Sequence, residues 1–197
     1  MKNHPSGSRP QGGRPRAEAL VRLALVFYGL LFAAALLWTG LAGRPLAFAD
    51  ESAARAGVHW PRDLAVGALS AGVVILISQQ VTERTRFGER SARALGTVLG
   101  PLGWSHCLVL AAVSGVAEEA FFRGAVQPRF GLVAASLLFG LAHFAPRRDL
   151  LPWTVFSIAA GFLLGALFEA TGNLVAPIVA HAGINAVNLR FLSVRYA

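Results

Sequence analysis

Residues 108–123 read LVLAAVSGVAEEAFFR, an apolar stretch that carries two adjacent glutamates and, four residues after the second one, an arginine. The apolar residues on both sides predict a helix embedded in a membrane. Burying a carboxylate in the hydrocarbon of a bilayer costs several kcal/mol, so an ionisable residue there is by default a candidate for function. We therefore interpret Glu118, Glu119 and Arg123 as parts of a functional site inside the membrane.

The rest of the chain also has the composition of a membrane protein. Its 197 residues are 55% hydrophobic and 14% charged, with a mean hydropathy of +0.55, whereas about a quarter of the residues in a soluble domain are charged. A helix needs about 20 apolar residues to cross a bilayer. Six segments approach that length, namely residues 20–41, 63–81, 102–126, 131–145, 151–171 and 174–192. They predict an all-α fold, a polytopic membrane helical bundle of about six transmembrane helices.

The distribution of positive charge predicts how this bundle is oriented. Thirteen Lys and Arg residues fall in segments on the side of the amino terminus, and four fall on the opposite side. Because Lys and Arg concentrate in cytoplasmic segments, we expect an integral membrane protein with its amino terminus in the cytoplasm. The net charge of +8 does not indicate a nucleic-acid partner, because the sequence has no basic groove with interleaved aromatic residues. The expected surroundings are the lipid bilayer.

The chain divides into three parts. Residues 1–18, rich in Gly, Pro, Ser, Arg and Gln, predict a disordered basic cytoplasmic tail. Residues 19–100 hold two N-terminal spans and an inner connection, 82–100, which reads as an amphipathic surface helix or, alternatively, as a solvated charged loop. Residues 101–197 form a core of four helices. The Ala-Phe-Ala sequence at 47–49 resembles a signal-peptide cleavage site, but the preceding apolar core exceeds the roughly 7–15 residues of a signal peptide, which favours an uncleaved anchor.

Polar residues of separate apolar segments fall at the same predicted depth. One segment carries His143, and another carries His181 and, four residues later, Asn185. The two hairpin turns expected next to these segments both lie on the predicted outer side. Counted from those turns at about 1.5 Å per residue, Glu118 and these three residues lie roughly 12–20 Å below one surface of a ~30 Å hydrocarbon core. The count predicts a single site near the middle of the bilayer.

The two glutamates have different predicted roles. Glu119 and Arg123 stand four residues apart with the acid first, which is the favourable order for an ion pair on a helix. Neighbouring residues of a helix point about 100° apart. Glu118 is therefore expected to remain a free carboxylate and to serve as a general base.

His181 and Asn185 share one face of their helix, and the pair suits two hydrogen-bond donors to a developing oxyanion. Each polar residue also has a structural explanation. A residue like His143, taken alone, is more often a hydrogen-bonded packing residue, and one like Asn185 is more often a polar link between helices.

The patterns Glu118-Glu119-xxx-Arg123, Phe139-xxx-His143 and His181-xxx-Asn185 resemble the three motifs of the CPBP intramembrane proteases. That family includes the CAAX-processing endopeptidases and bacteriocin-processing or immunity (Abi) proteins, and the resemblance covers about residues 101–192. It implies hydrolysis of a peptide bond inside the membrane. Glu118 would activate the attacking water, His143 would assist and orient that water, and His181 and Asn185 would stabilise the oxyanion. Glu119 and Arg123 would support the site.

Two accounts of such a site differ in whether a metal takes part. Glu118, His143 and His181 could hold Zn²⁺ with an open position for water. A zinc site would use Glu118 as a ligand and would leave Glu119, tied to Arg123, as the nearby base. This chemistry favours a glutamate-type enzyme without a cofactor, and zinc stays open as the alternative.

The sequence therefore predicts an intramembrane endopeptidase whose substrate is a membrane-associated or CAAX-like peptide or protein. The alternative is a non-catalytic membrane binding or immunity protein of the same fold, although binding alone needs no base beside an oxyanion site. A proton-coupled transporter is disfavoured, because the six predicted spans show no inverted repeat.

Overall fold

A computed structural model describes residues 13–197, and their regular structure is helical. The α-helices are α1 (Gly13–Leu41), α2 (Glu51–Ala56), α3 (Trp60–Arg84), α4 (Arg86–Leu99), α5 (Trp104–Glu119), α6 (Gln127–Ala142), α7 (Leu151–Thr171) and α8 (Val175–Arg195). A π-helical segment, Ala120–Val126, joins α5 to α6, and one 3₁₀ turn, Arg148–Leu150, precedes α7. The predicted polytopic helical bundle is confirmed.

Within the described residues, five helical stretches rather than six are long and apolar enough to cross a membrane. They are Pro15–Leu41, Trp60–Arg84, Trp104–Ala142, Arg148–Thr171 and Val175–Arg195. The stretch Trp104–Ala142 contains both the predicted third span and the predicted fourth span, with the non-helical residue Gly131 between them. The predicted fourth span also ends three residues early, at Ala142 instead of Ala145.

Gly131 interrupts this long stretch. Its φ of 82° and ψ of 167° are a conformation that residues with a side chain rarely adopt. The backbone reverses there, and α6 returns beside the π-helical segment and packs along α7. The hairpin turn expected between the two predicted spans is therefore present, but it is made by one glycine inside a helical stretch.

The connections at the predicted outer end of the bundle bind one another. The loop after α1 pairs with the turn between α7 and α8 through hydrogen bonds from Ala49 N to Gly172 O and from Leu174 N to Ala47 O. The first turn of α3 joins them, since the buried Asp63 accepts a 2.8 Å hydrogen bond from Asn173 Nδ2.

The predicted inner end is fixed in the same way. Ser193, near the end of α8, accepts a hydrogen bond from Leu102 N and donates one of 3.1 Å to Gly100 O. Arg190 Nη1 donates to Leu102 O at 2.7 Å. The connection between α4 and α5 is thus tied to the last helix, and α8 joins the two ends of the bundle.

The predicted disordered tail requires a correction. Its residues 1–12 lie outside the described residues, whereas residues 13–18 form the first turns of α1. Ala17 is buried against Leu102 and Cys107, and Arg16 Nη2 donates a 3.1 Å hydrogen bond to Val98 O. Contacts with distant residues stabilise this turn, and composition does not reveal them.

The inner connection is the amphipathic helix α4, not a loop. Thr85 caps its start, because the Thr85 hydroxyl accepts a 3.1 Å hydrogen bond from Gly88 N. One face buries four small residues, Gly88, Ser91, Ala92 and Gly96, while Arg86 and Arg90 on the other face are exposed.

Glycines allow the helices around the polar residues to approach closely. A Cβ atom on Gly115 of α5 would lie 3.2 Å from the Cβ of Ala182 on α8, and one on Gly161 of α7 would lie 2.9 Å from the carbonyl oxygen of Ser136 on α6. Small residues let membrane helices pack backbone against backbone. These two contacts bring polar groups from α5, α6, α7 and α8 within reach of each other.

Candidate active site

Glu118 lies near the end of α5, just before the change to π-helical hydrogen bonding. Single π-helical turns often occur at functional sites. The Glu118 side chain is 7% exposed, and its Oε2 atom has no hydrogen-bond partner among the described residues. A buried carboxylate oxygen without a donor is costly, which marks Oε2 as a place where water or substrate binds.

Two imidazoles face this oxygen. His143 Nε2 lies 3.6 Å and His181 Nε2 lies 3.9 Å from Glu118 Oε2. Both separations exceed a direct hydrogen bond and suit a bridging water molecule. Three of the four side chains predicted to converge are therefore brought together.

His143 differs from its predicted placement, because it does not lie inside a helix. It is the C-cap of α6, with φ −96° and ψ 7°. Its side chain is 21% exposed, against 5% for His181 and 7% for Glu118. The site is consequently most open on the side of His143.

The Nδ1 atoms of both imidazoles are engaged away from Glu118. His143 Nδ1 lies 2.8 Å from Phe139 O, and His181 Nδ1 lies 2.7 Å from Glu119 Oε1. A carbonyl or carboxylate oxygen accepts, so each Nδ1 carries a proton and each Nε2 points toward Glu118. In a neutral ring that Nε2 atom is an acceptor, and it donates only when the ring holds both protons.

The predicted ion pair between Glu119 and Arg123 is present and fully buried. Arg123 Nη1 lies 3.0 Å from Glu119 Oε1, with side chains 1% and 0% exposed. Arg123 Nη2 also donates to Gly161 O at 3.0 Å, and the guanidinium lies 4.4 Å from the centre of the Phe139 ring. Because Glu119 is bound to both Arg123 and His181, it is not a free base.

Asn185 is held by a residue that the sequence did not single out. Its Nδ2 atom donates a 3.0 Å hydrogen bond to Ser114 Oγ. Ser114 lies one helical turn before Glu118 on α5, so the carboxamide stands beside the carboxylate's helix, half-buried. An amide nitrogen carries two hydrogens, and one of them remains for another acceptor.

An apolar cavity adjoins the site. Trp153, in the first turn of α7, lies edge-on to His143 with ring centres 5.3 Å apart. The same tryptophan lines a cavity of about 160 Å³ between α3, α4, α7 and α8. Apolar cavities of roughly 150 Å³ accommodate a benzene-sized group. Trp153 therefore connects the polar site with a space suited to an apolar side chain.

Three residues around the site escaped the sequence analysis: Ser114, Trp153 and Tyr28. Ser114 stands four residues before Glu118, a spacing that was visible in the sequence. Trp153 and Tyr28 belong to other helices. Tyr28, on α1, is half-buried and lies near Glu118. No local spacing could have connected them with the motifs.

The described residues contain no group of three His, Cys, Asp or Glu side chains placed so that they could hold a metal ion. A zinc site would need Glu118, His143 and His181 within about 2.0–2.2 Å of one point. The 3.6 and 3.9 Å separations of Glu118 Oε2 from the two Nε2 atoms are close to those of neighbouring ligands on one such ion, and zinc stays open as the alternative.

Residues 100–187 match the family described as type II CAAX prenyl endopeptidase Rce1-like. The matched residues contain all three motifs, and over these residues the predicted resemblance to the CPBP family is confirmed.

One curated relative is 43% identical over 95 residues, the uncharacterized protein YpbD of Bacillus subtilis (strain 168). The match covers 46% of this chain and 49% of that protein, so the chain spans about half the length of its relative. No solved structure gives a significant match.

Proposed function

We propose that this chain, a member of the Rce1-like CAAX endopeptidase family over its residues 100–187, is an intramembrane endopeptidase in which Glu118 activates a water molecule. The observation that carries the proposal is the environment of Glu118 Oε2. This buried, unpartnered oxygen faces two Nε2 atoms at 3.6 and 3.9 Å. A water held there would touch a base and an orienting acceptor at once.

In the first step, Glu118 takes a proton from the bound water while the water oxygen attacks the carbonyl carbon of the peptide bond. His143 Nε2 accepts the second hydrogen of that water and orients its lone pair. The Nδ1 bond to Phe139 O, 2.8 Å long, holds the imidazole in the required tautomer. Positioned proton transfer of this kind contributes typically about 10²–10⁴-fold to a rate.

The carbonyl oxygen becomes an oxyanion, which Asn185 and His181 stabilise. Asn185 donates the amide hydrogen that Ser114 does not use. His181 donates from Nε2 in its doubly protonated form, while Glu119 holds its Nδ1–H at 2.7 Å. Glu118 then returns the proton to the leaving nitrogen, the C–N bond breaks, and a carboxylic acid and an amine are released.

The proposed substrate is a peptide or protein at the membrane, CAAX-like in presenting an apolar residue near the scissile bond. The 160 Å³ apolar cavity that shares Trp153 with the site supports this proposal. The protein would work in the bacterial inner membrane with its amino terminus in the cytoplasm, as the distribution of Arg residues favours.

The proposed function is tested with purified protein in proteoliposomes and a fluorogenic peptide anchored in the same bilayer. Glu118→Gln, His143→Ala and His181→Ala should each lower cleavage at least a hundredfold. His106→Ala is the matched control, because His106 Nδ1 only accepts a hydrogen bond from Gly103 N at the start of α5. Retained cleavage in all three site variants would exclude the mechanism.

A further inference from the structure

Tyr28 lies on the face of α1 that packs against α5. Toward the start of α1, Ala17, Val21 and Ala24 pack with Leu102, Cys107 and Leu110; further along, Phe32 and Ala35 pack with Ala120 and Ala125. These α1 residues recur every three or four positions, as one face of a helix does. Tyr28 falls on this face, four residues after Ala24 and four before Phe32.

The contacts between α1 and α5 show which turn of α5 lies opposite Tyr28. The two helices run parallel, and the contacts on either side of Tyr28 are made by Leu110 and Ala120. The turn from Ser114 to Glu118 lies between those two residues. The half-buried Tyr28 phenol accordingly lies near the Glu118 carboxylate.

The two carboxylate oxygens of Glu118 have separate surroundings. Oε2 faces His143 and His181 and has no hydrogen-bond partner among the described residues. A hydrogen bond from the phenol to the other oxygen, Oε1, would leave Oε2 directed at the two imidazoles. Phe27 lies edge-on to the tyrosine ring, with centres 5.1 Å apart, on the same helix.

We propose that Tyr28 is a positioning residue for the hydrolysis, whose hydroxyl donates to Glu118 Oε1 and keeps Oε2 directed at the two imidazoles. The inference rests on the proposed function of Glu118. A hydrogen bond to a charged acceptor is stronger than one between neutral groups, so it restrains the carboxylate effectively. Helix α1 would then complete the site, although it lies outside the residues that match the family.

The kinetic test distinguishes a role of the Tyr28 hydroxyl from a role of the Tyr28 ring. Tyr28→Phe keeps the ring and removes the donor, and we expect kcat to fall about tenfold with KM unchanged, the size of one lost hydrogen bond. Tyr196→Phe is the matched control, because Tyr196 lies beyond the end of α8 beside Arg93 and Phe191. A role in packing alone would leave Tyr28→Phe as active as the unsubstituted protein.

A spectroscopic test does not depend on cleavage. The chain has two tyrosines, so in Tyr196→Phe protein carrying ring-labelled tyrosine, the infrared C–O stretch reports Tyr28 alone. Glu118→Gln in this background should shift that band, because a carboxylate accepts a stronger hydrogen bond than an amide. An unshifted band, or an unchanged kcat of Tyr28→Phe, overturns the inference. Should the protein cleave no peptide, the proposed function fails, and the band still decides whether Tyr28 binds Glu118.

Discussion

Glu118 and Glu119 are adjacent and chemically identical, yet their surroundings give them different roles. Glu119 binds Arg123 at 3.0 Å and His181 at 2.7 Å, while Glu118 Oε2 binds no described residue. An engaged carboxylate organises its neighbours, whereas a free one can accept a proton. Paired titratable groups with contrasting environments commonly divide catalytic roles in this way.

The carboxamide of Asn185 offers a test of the proposed oxyanion site. Asn185→Ala should lower kcat about 10²–10³-fold, the usual effect of removing one oxyanion donor, while KM changes little. Asn188→Ala is the comparison on the same helix. Asn188 Nδ2 donates to Ser78 Oγ at 3.1 Å and the residue lines the apolar cavity, so its loss should change KM and not kcat. Steady-state cleavage of a membrane-anchored peptide measures both. Equal kcat values for the two variants would contradict the assigned role.

The buried ion pair should be necessary for stability. Arg123→Met leaves Glu119 without its cation, and removing one partner of a buried pair costs about 3–5 kcal/mol. We expect a large fall in the unfolding temperature in detergent. Glu119→Gln combined with Arg123→Met should recover part of that loss, because the unpaired charge is gone. If the single and double variants unfold at the same temperature, charge pairing does not explain the loss.

At the scale of elements, the site depends on how closely four helices approach. Gly161 allows α7 to contact α6 backbone to backbone, and its carbonyl oxygen accepts from Arg123 at 3.0 Å. The same helix thus sets both the spacing of the bundle and the position of the guanidinium.

Gly161→Ala tests this contact with a single added methyl group. The new Cβ would lie 2.9 Å from Ser136 O, and overpacking of this kind typically costs about 1–3 kcal/mol. Gly72→Ala in α3 is the control, since a Cβ there meets no atom within 4 Å and replacing a helical glycine stabilises by up to about 1 kcal/mol. Unfolding temperatures should move in opposite directions. A Gly161→Ala variant as stable as Gly72→Ala would argue against tight packing.

Most helices follow from the apolar pattern. The fifth predicted span, 151–171, has the same bounds as helix α7, Leu151–Thr171. The π-helical segment was not predicted, because it depends on how α6 packs against its neighbours. The turn at Gly131 was expected from the gap between the predicted segments 102–126 and 131–145. The polar residues of the site were found because charge and amide groups stand out in an apolar helix. Tyr28 and Trp153 resemble ordinary membrane-helix residues, and only tertiary structure shows what they contact.

At the scale of the whole molecule, the alternating spans place the start of α1, helix α4 and the loop before α7 at one end. Cysteine labelling tests the orientation. The single native cysteine, Cys107, is buried, so Cys107→Ser gives a suitable background. In intact cells an impermeant thiol reagent should label Ser52→Cys and should leave Thr97→Cys and Asp149→Cys unlabelled until the membrane is opened. The reverse pattern would invert the topology.

The central claim is that Glu118 activates water without a metal. The most direct measurement is the cleavage rate of protein stripped with chelator and analysed for bound metal, in the unsubstituted form and as Glu118→Gln. We predict that the stripped protein keeps its full rate and that Glu118→Gln loses at least a hundredfold. A stripped protein that is inactive and recovers with added Zn²⁺, or a Glu118→Gln variant that retains its rate, would contradict the claim.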